Sequence, residues 1–245
     1  EQGKYVWPEN GALSLLLNAK SNPDKPYFLI LDEMNLSHVE RYFADFLSAM
    51  ESNEPISIHP NTDEWKKNGK WNESLEPSLT LPDNLFIIGT VNVDETTYMF
   101  SPKVLDRAKV IEFRVTTHNM ENYLDNHGPL DIRSIDKQGI RMATSFLNYT
   151  RKIDIQPRDK EEVKNTLISF FNELKKTEAE FGYRSASEIY RFLAIAQKLA
   201  PKLGNDFIVD SAIMQKLLPR VHGSRRKLEP ILRALGQLCL INGQD

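Results

Sequence analysis

Tyr-Phe-Leu-Ile-Leu-Asp-Glu, residues 27–33, is the stretch that decides the fold of this chain. It is an apolar run that begins after Pro26 and ends abruptly in two adjacent carboxylates. A run of this length and composition predicts a strand buried on both faces. Acids at the carboxyl end of such a strand lie where open α/β sheets bind their ligands. The stretch therefore predicts a ligand site at Asp32 and Glu33, although a core strand leading into an acidic helix start would give the same pattern.

A second apolar run, Leu85–Val91, ends at Asn92. Asparagine has poor β propensity, so its position at a strand end suggests a polar group that reaches toward a ligand. Downstream, Phe100–Ala108 predicts a short helix that carries Arg107, and its serine–proline start suits a helix N-terminus. Val110–Phe113 predicts a further strand. An acidic strand end, a polar strand end, an arginine-bearing helix and another strand follow one another in the order typical of AAA+ ATPases.

Three stretches together resemble the AAA+ module of McrB-like NTPases, the motor subunits of modification-dependent restriction systems. They are LILDEMNLSHVERYF (29–43), LFIIGTVNVDETTYMFSPKVLDRA (85–108) and FGYRSASEIYRFL (181–193). The resemblance extends from Tyr27 to Leu232 and follows the family's order. It implies an α/β fold: a partial AAA+ P-loop NTPase core in 1–117, with a parallel sheet and flanking helices, followed by an all-α lid domain in 118–245.

The resemblance implies roles in NTP hydrolysis for four residues at the two strand ends. Asp32 corresponds to the Walker B ligand that holds Mg²⁺, mostly through water, and Glu33 to the acid that orients the attacking water. Asn35 lies where family members have an asparagine that assists near the γ-phosphate. Asn92 corresponds to sensor 1, a neutral group that can bind the water or the γ-phosphate. An ordinary turn-forming asparagine is the alternative for Asn92.

The resemblance also implies roles for two arginines. Arg107 corresponds to the arginine finger, whose guanidinium spreads positive charge over the transition state in a neighbouring subunit. The alternative is an exposed arginine paired with Asp106, and this chain has Asp-Arg-Ala where better-known members have a run of arginines. Arg184 corresponds to sensor 2 at the start of a lid helix, with an ordinary helix arginine as the alternative. The family's acidic motif after sensor 1 would fall on Asp94 or Glu95.

The phosphate-binding motif G-x-x-x-x-G-K-[ST] does not occur in the 245 residues. In this fold the loop precedes the Walker B strand, and the sequence begins with Glu1. We therefore expect a piece of a longer protein whose loop lies upstream. Because the loop's N–H groups and lysine hold the phosphates, the sequence as given should bind nucleotide weakly or not at all. A protein that has lost the loop is the alternative.

Cofactors and partners are also implied by the resemblance. Mg²⁺ is the expected cofactor, and ATP or GTP the expected substrate. The intact protein is expected to form a homo-oligomeric ring, a hexamer, with a nuclease partner subunit, and to reach DNA through other domains or that partner. The single cysteine, Cys239, is compatible with a reducing cytoplasm. No apolar stretch is long enough to span a bilayer, so we expect a cytoplasmic protein without membrane contact.

Charge divides unevenly along the chain. Residues 1–117 carry 11 Lys+Arg and 18 Asp+Glu, a net charge of −7, whereas residues 118–245 carry 20 and 16, a net charge of +4. This asymmetry favours a boundary near His118 and a basic C-terminal domain. The group His222–Lys227 enters a helix N-terminus, where cations oppose the helix dipole, so it suits an anion unless it is simply a solvated basic corner.

Helical spacing of apolar residues runs through the C-terminal part. It predicts helices in 140–149, 163–174, 189–200, 213–218 and 228–238. Pro230 should delay or bend the last of these helices.

The segment Glu51–Asp83 separates the two key strands and is longer than an ordinary loop. Ile56–His59 alternates like a strand, so we predict a β-hairpin insertion. Such hairpins in ring ATPases often face the central pore, where a substrate strand or a partner could bind. The alternative is that Trp65 and Trp71 anchor a long surface loop.

Two functions of different class follow from the sequence. The first is an NTP-hydrolysing motor that drives a nuclease partner along DNA, favoured by Asp32, Glu33 and Asn92 together. The second is a non-hydrolysing AAA+ scaffold or a nucleic-acid-binding module, favoured by the missing phosphate loop and the basic lid. An intact phosphate loop upstream would support the motor, and its absence would support the scaffold.

Overall fold

A computed structural model describes residues 11–58, 76–92, 98, 100–128, 132–151, 156–176 and 178–241, apart from the side chains of 132 and 239–241. The elements in chain order are α1 (Gly11–Ser21), β1 (Tyr27–Leu31), α2 (Val39–Tyr42), α3 (Ala44–Ser52), β2 (Ile56–Ser57), β3 (Ser78–Leu79), β4 (Leu85–Gly89), α4 (Pro102–Leu105), α5 (Thr117–Asp125), α6 (Ala143–Thr150), α7 (Lys160–Lys175), α8 (Tyr183–Leu199), α9 (Asn205–Lys216) and α10 (Arg225–Ile241). Short 3₁₀ helices cover Met34–Leu36, Ile132–Ile135 and Leu218–Arg220.

The chain divides into two compact units that interleave along the sequence. The first unit comprises Glu1–Arg107 and Ile132–Lys152, and the second comprises Ala108–Asp131 and Ile153–Asp245. The sequence predicted one division at residue 117 instead. Helix α6, which the sequence assigned to the lid, belongs to the first unit because its Phe146 packs against the strands of that unit.

Strands β1 and β4 pair in parallel, with Tyr27 opposite Leu85 and Leu31 opposite Gly89. The two strands predicted from the sequence are therefore confirmed over 27–31 and 85–89. The ladder begins where the Tyr27 N–H donates to the carbonyl of Asn84 at 2.8 Å. Because the strands are parallel, their carboxyl ends lie at the same edge of the sheet.

The two faces of this ladder are covered to different extents. On one face, Leu29, Leu31 and Ile87 pack against a buried cluster contributed by α2, α4 and the residue between α2 and α3. On the other face, the rings of Phe28 and Phe86 contact Phe146 of α6, with centroids 5.7 and 4.8 Å from it.

Farther along the second face, Ile30 is 64% exposed and Ile88 is 46% exposed. The expectation that β1 is buried on both faces was therefore wrong for the described residues. The reason is that the α6 aromatic side chain covers only the first half of that face, and the residues nearest the acidic end of the strand stay open to solvent.

The strand predicted at Val110–Phe113 does not form. This segment is irregular, Ile111 is 64% exposed and Phe113 is 93% exposed. The Val110 N–H donates to the carbonyl of Gln215 at 3.0 Å, which attaches the segment to the end of α9. The prediction was wrong because alternating apolar residues form a strand only beside a partner strand, and the described part of the chain places none there.

Strands β2 and β3 form an antiparallel pair at the base of the long insertion. Ile56 lies opposite Leu79 and Ser57 opposite Ser78, and the Ile58 N–H donates to the Pro77 carbonyl at 2.8 Å. The predicted strand is thus present over its first two residues, in the antiparallel arrangement expected for a hairpin. Trp65 and Trp71 lie outside the described residues, so the pore-facing and anchoring alternatives stay open.

The second unit is built from helices whose apolar faces meet in one core, as the helical spacing predicted. Its largest fully buried side chains are Leu174, Ile189, Leu193, Ile208 and Leu217. Helix α10 begins at Arg225, so Pro230 does not delay its start. In the described ranges, no helix is long and apolar enough to cross a membrane.

Candidate functional site

The acidic turn at the end of β1 is open to solvent and locally strained. Asp32 and Glu33 are both exposed, and Glu33 has φ 48° and ψ 45° in front of the Met34–Leu36 3₁₀ helix. A non-glycine residue in this left-handed region costs on the order of 1 kcal/mol and persists only where its surroundings hold it there. Such strain is concentrated at functional sites, which makes the turn a candidate site.

Thr90 holds this turn through its hydroxyl and its backbone. The Glu33 N–H donates to Thr90 Oγ1 at 2.8 Å, and the Thr90 hydroxyl donates to Asp32 Oδ1. The Thr90 N–H donates to the carbonyl of Leu31 at 3.0 Å, and its carbonyl accepts from the Met34 N–H at 3.0 Å. These bonds fasten the last residue of β1 and the three residues after it to Thr90, the residue that follows β4.

Thr90 was not among the site residues predicted from the sequence. The residue could not be found from the sequence, because the parallel register that places Leu31 opposite Gly89, and therefore Asp32 beside Thr90, is a property of the fold. A hydroxyl one residue beyond a strand end, next to a carboxylate one residue beyond the neighbouring strand, is within hydrogen-bonding distance.

Asn92 and Asn35 join the same site. The Asn92 side-chain amide donates to Glu33 Oε1 at 3.1 Å, and the Asn35 side-chain amide donates to the Asn92 carbonyl at 2.9 Å. Asn35 is 2% exposed, and its Oδ1 is buried without a hydrogen-bond partner. The structure thus brings together Asp32, Glu33, Asn35 and Asn92, the four residues that the sequence predicted at the two strand ends.

Gly89 allows the turn to pack closely on β4. A Cβ atom built on Gly89 would collide with the Sδ atom of Met34. The Met34 side chain lies over β4 at this point, directly after the strained Glu33. A larger residue at position 89 would push Met34 away and disturb the turn that carries the carboxylates.

The donor set of the site suits a hard cation such as Mg²⁺. Its groups are two exposed carboxylates, the Thr90 hydroxyl and the side-chain amide oxygen of Asn92, all of which are oxygen ligands. Within the described ranges, no group of three or more His, Cys, Asp or Glu side chains could enclose a metal. Mg²⁺ does not need such a cage, because it is commonly held by one or two carboxylates together with water and substrate phosphates.

Arg107 does not project from the first unit. Its side chain is 9% exposed, and its guanidinium pairs with the carboxylate of Glu51 and donates to the Lys103 carbonyl. Its Nε is buried without a hydrogen-bond partner. The alternative of an exposed arginine paired with Asp106 is therefore wrong, and a finger role in a neighbouring subunit would require Arg107 to leave Glu51.

Arg184 belongs to the second unit, at the start of α8 as predicted. Its Nε lies 4.0 Å from Glu188 Oε1, and Glu188 Oε2 lies 2.5 Å from the ammonium of the buried Lys216. Lys216 also donates to the Ala108 carbonyl at 3.1 Å. Burial lowers the pKa of Lys109, and the neighbouring Lys216 adds to this effect while Glu188 opposes it. Glu188 is thus a carboxylate shared by several cations of this unit.

The basic group His222–Lys227 precedes and begins α10. The chain passes Gly223 with φ 145° and enters the helix at Arg225, whose side chain is 94% exposed. The Glu229 carboxylate lies 4.0 Å from the Arg225 Nε atom. The exposure fits a solvated basic corner and leaves an anion able to reach it. Asp94 and Glu95, the other acidic candidates, lie outside the described residues.

A glycine at position 33 tests the strain in the acidic turn. We expect Glu33→Gly to be more stable than Glu33→Ala by about 1 kcal/mol, because both lose the carboxylate and only glycine adopts positive φ without a steric penalty. Urea unfolding of the two variants measures the difference. An alanine variant as stable as the glycine variant would show that the turn is not strained.

Comparison with known proteins gives one partial match. Residues 129–244 match a family model described as a domain of unknown function (DUF8727). No curated protein and no solved structure matches the chain. The matched residues include α6 of the first unit and helices α7–α10 of the second, and they exclude the site at the ends of β1 and β4. The resemblance of that site to McrB-like NTPases stays a prediction.

Proposed function

We propose that the chain forms part of an AAA+ NTPase that resembles the McrB-like family and hydrolyses ATP or GTP to the diphosphate and phosphate. One observation carries the proposal: the Asn92 amide contacts Glu33 Oε1 at 3.1 Å, at the shared edge of two parallel strands. A carboxylate held by a neutral amide can accept a hydrogen bond from water and keep that water in one orientation. In-line attack on a γ-phosphate needs a water oriented by such a group, and this supports the proposal.

Each residue of the site has its own role in the proposed reaction. Glu33 orients the attacking water and takes up its proton, and Asn92 keeps the Glu33 carboxylate in place without adding charge. Asn35 holds the backbone of Asn92 through the 2.9 Å contact with its carbonyl. Asp32 offers carboxylate oxygens to the cation that accompanies the nucleotide. When bound, Mg²⁺ would neutralise charge on the phosphates and align them for attack.

The proposal also requires groups that these residues do not supply. A phosphate-binding loop must be supplied by a segment outside the 245 residues, because the sequence has no such motif. An arginine from a neighbouring subunit would complete the site in a homo-oligomeric, hexameric ring. We further propose a cytoplasmic complex with a nuclease partner, in which hydrolysis drives restriction or a related remodelling of DNA.

Turnover by a Glu33→Gln variant tests the proposal. In a chain extended N-terminally through the expected phosphate loop, we expect the variant to lose at least about a hundredfold in ATP or GTP hydrolysis while it still binds nucleotide, because glutamine cannot accept the proton. Steady-state hydrolysis with each nucleotide measures the effect. Glu54→Gln, at an exposed position of the same unit, is the matched control. Undiminished hydrolysis by Glu33→Gln would contradict the proposal.

Paired substitutions at Arg107 and Glu51 test the role of the arginine. Both Arg107→Ala and Glu51→Ala break the same ion pair, so each reports the effect of losing that contact within the unit. Only the loss of Arg107 would remove a finger, which is worth roughly a thousandfold or more in rate. We therefore expect Arg107→Ala alone to lower hydrolysis strongly, and only in assembled rings. Equal losses in both variants, or in dissociated subunits, would assign Arg107 to the stability of its own unit.

A second candidate function is a non-hydrolysing AAA+ scaffold or a nucleic-acid-binding module. The exposed basic group His222–Lys227 favours it, because clustered cations at a surface attract phosphate backbones. The same hydrolysis experiment separates the two candidates. Absence of turnover with either nucleotide, in an extended chain shown to be folded and assembled, would favour the scaffold.

A further inference from the structure

We infer that Thr90 is a positioning residue that sets the metal requirement of the site, an inference that rests on the proposed function. Its hydroxyl makes two directed hydrogen bonds at once: it accepts from the Glu33 N–H at 2.8 Å and donates to Asp32 Oδ1. One oxygen atom thus fixes both the residue assigned to the cation and the backbone of the residue assigned to the water. Asp32 and Glu33 keep a defined spacing because both are attached to Thr90.

The hydroxyl is not needed to hold the strands together. The backbone of Thr90 already bonds to the Leu31 carbonyl and to the Met34 N–H, each at 3.0 Å. Its side chain is exposed, so it fills no cavity in the core. The backbone of Thr90 therefore holds the strands, whereas its hydroxyl fixes the rotamer of the Asp32 side chain and the direction of the Glu33 N–H.

The effect of losing this hydroxyl follows from how carboxylates bind metals. A ligating carboxylate is oriented by the groups that hydrogen-bond to it, and removing such a partner typically lowers metal affinity by about 10- to 100-fold. Without the hydroxyl, Asp32 is free to rotate between several rotamers, and the Glu33 N–H loses its acceptor. The cation would then meet the same oxygen ligands, but the Asp32 carboxylate would no longer be held in one orientation.

Two substitutions separate the hydroxyl from the shape of the side chain. Thr90→Val keeps the β-branched shape and removes the hydroxyl, whereas Thr90→Ser keeps the hydroxyl. Thr80→Val, at an exposed position before β4 in the same unit, is the matched control for a threonine-to-valine change. The measurements are the Mg²⁺ concentration for half-maximal hydrolysis in the extended chain, and NMR hydrogen exchange of the Glu33 amide in the 245-residue chain.

We expect Thr90→Val to raise the Mg²⁺ requirement about 10-fold or more, with little change in the KM for nucleotide at saturating Mg²⁺. Thr90→Ser should stay near the wild-type Mg²⁺ requirement, and Thr80→Val should match the wild type. The Glu33 amide should exchange faster in Thr90→Val and remain protected in Thr90→Ser. An unchanged Mg²⁺ requirement in Thr90→Val, or equal defects in the valine and serine variants, would overturn the inference.

The two measurements keep this inference distinct from the proposed function. If the wild-type extended chain does not hydrolyse nucleotide, the proposed function fails and the metal role of Thr90 fails with it. The exchange measurement then still reports whether the hydroxyl orients the turn. If hydrolysis is present and depends on Glu33 but not on the Thr90 hydroxyl, only the inference about Thr90 fails.

Discussion

Parallel pairing of β1 with β4 is the constraint on which the candidate site depends. The strands are separated by more than fifty residues, yet their register places the chain after Leu31 beside the chain after Gly89. Every contact of the site follows from that register: the bonds of Thr90 to the acidic turn, and the contact of Asn92 with Glu33. A shift of one residue would turn each of these side chains to the opposite face.

The candidate site has a strained backbone at Glu33 and carboxylates that are open to solvent. Glu33 is held in a left-handed conformation by bonds from outside its own turn, and the absence of a side chain at Gly89 lets Met34 pack beneath it. The carboxylates themselves remain exposed, and only Asn35 is buried behind them. A buried support that carries exposed charged groups is how a protein keeps reactive side chains both fixed and accessible.

Much of this arrangement could be predicted from the sequence, because it depends on local patterns. The apolar runs ending in Asp32 and Asn92, and the helical spacing around Leu167 and Leu193, identify their own elements. Contacts between distant residues could not be predicted in the same way. The pairing of Arg107 with Glu51 and the role of Thr90 depend on tertiary packing and on strand register, for which single residues carry no signal. The strand predicted at 110–113 does not form for a related reason, because a strand also needs a partner from elsewhere in the chain.

Paramagnetic broadening by Mn²⁺ bound to a non-hydrolysable nucleotide tests most directly whether the two strand ends form one site. In NMR spectra of the extended chain, the account predicts that amide signals of residues 32–35 and 90–92 broaden together. The signal of Asn84, at the opposite end of β4, should persist at the same Mn²⁺ concentration. Broadening at only one of the two strand ends, or broadening centred elsewhere in the chain, would contradict a shared metal and nucleotide site.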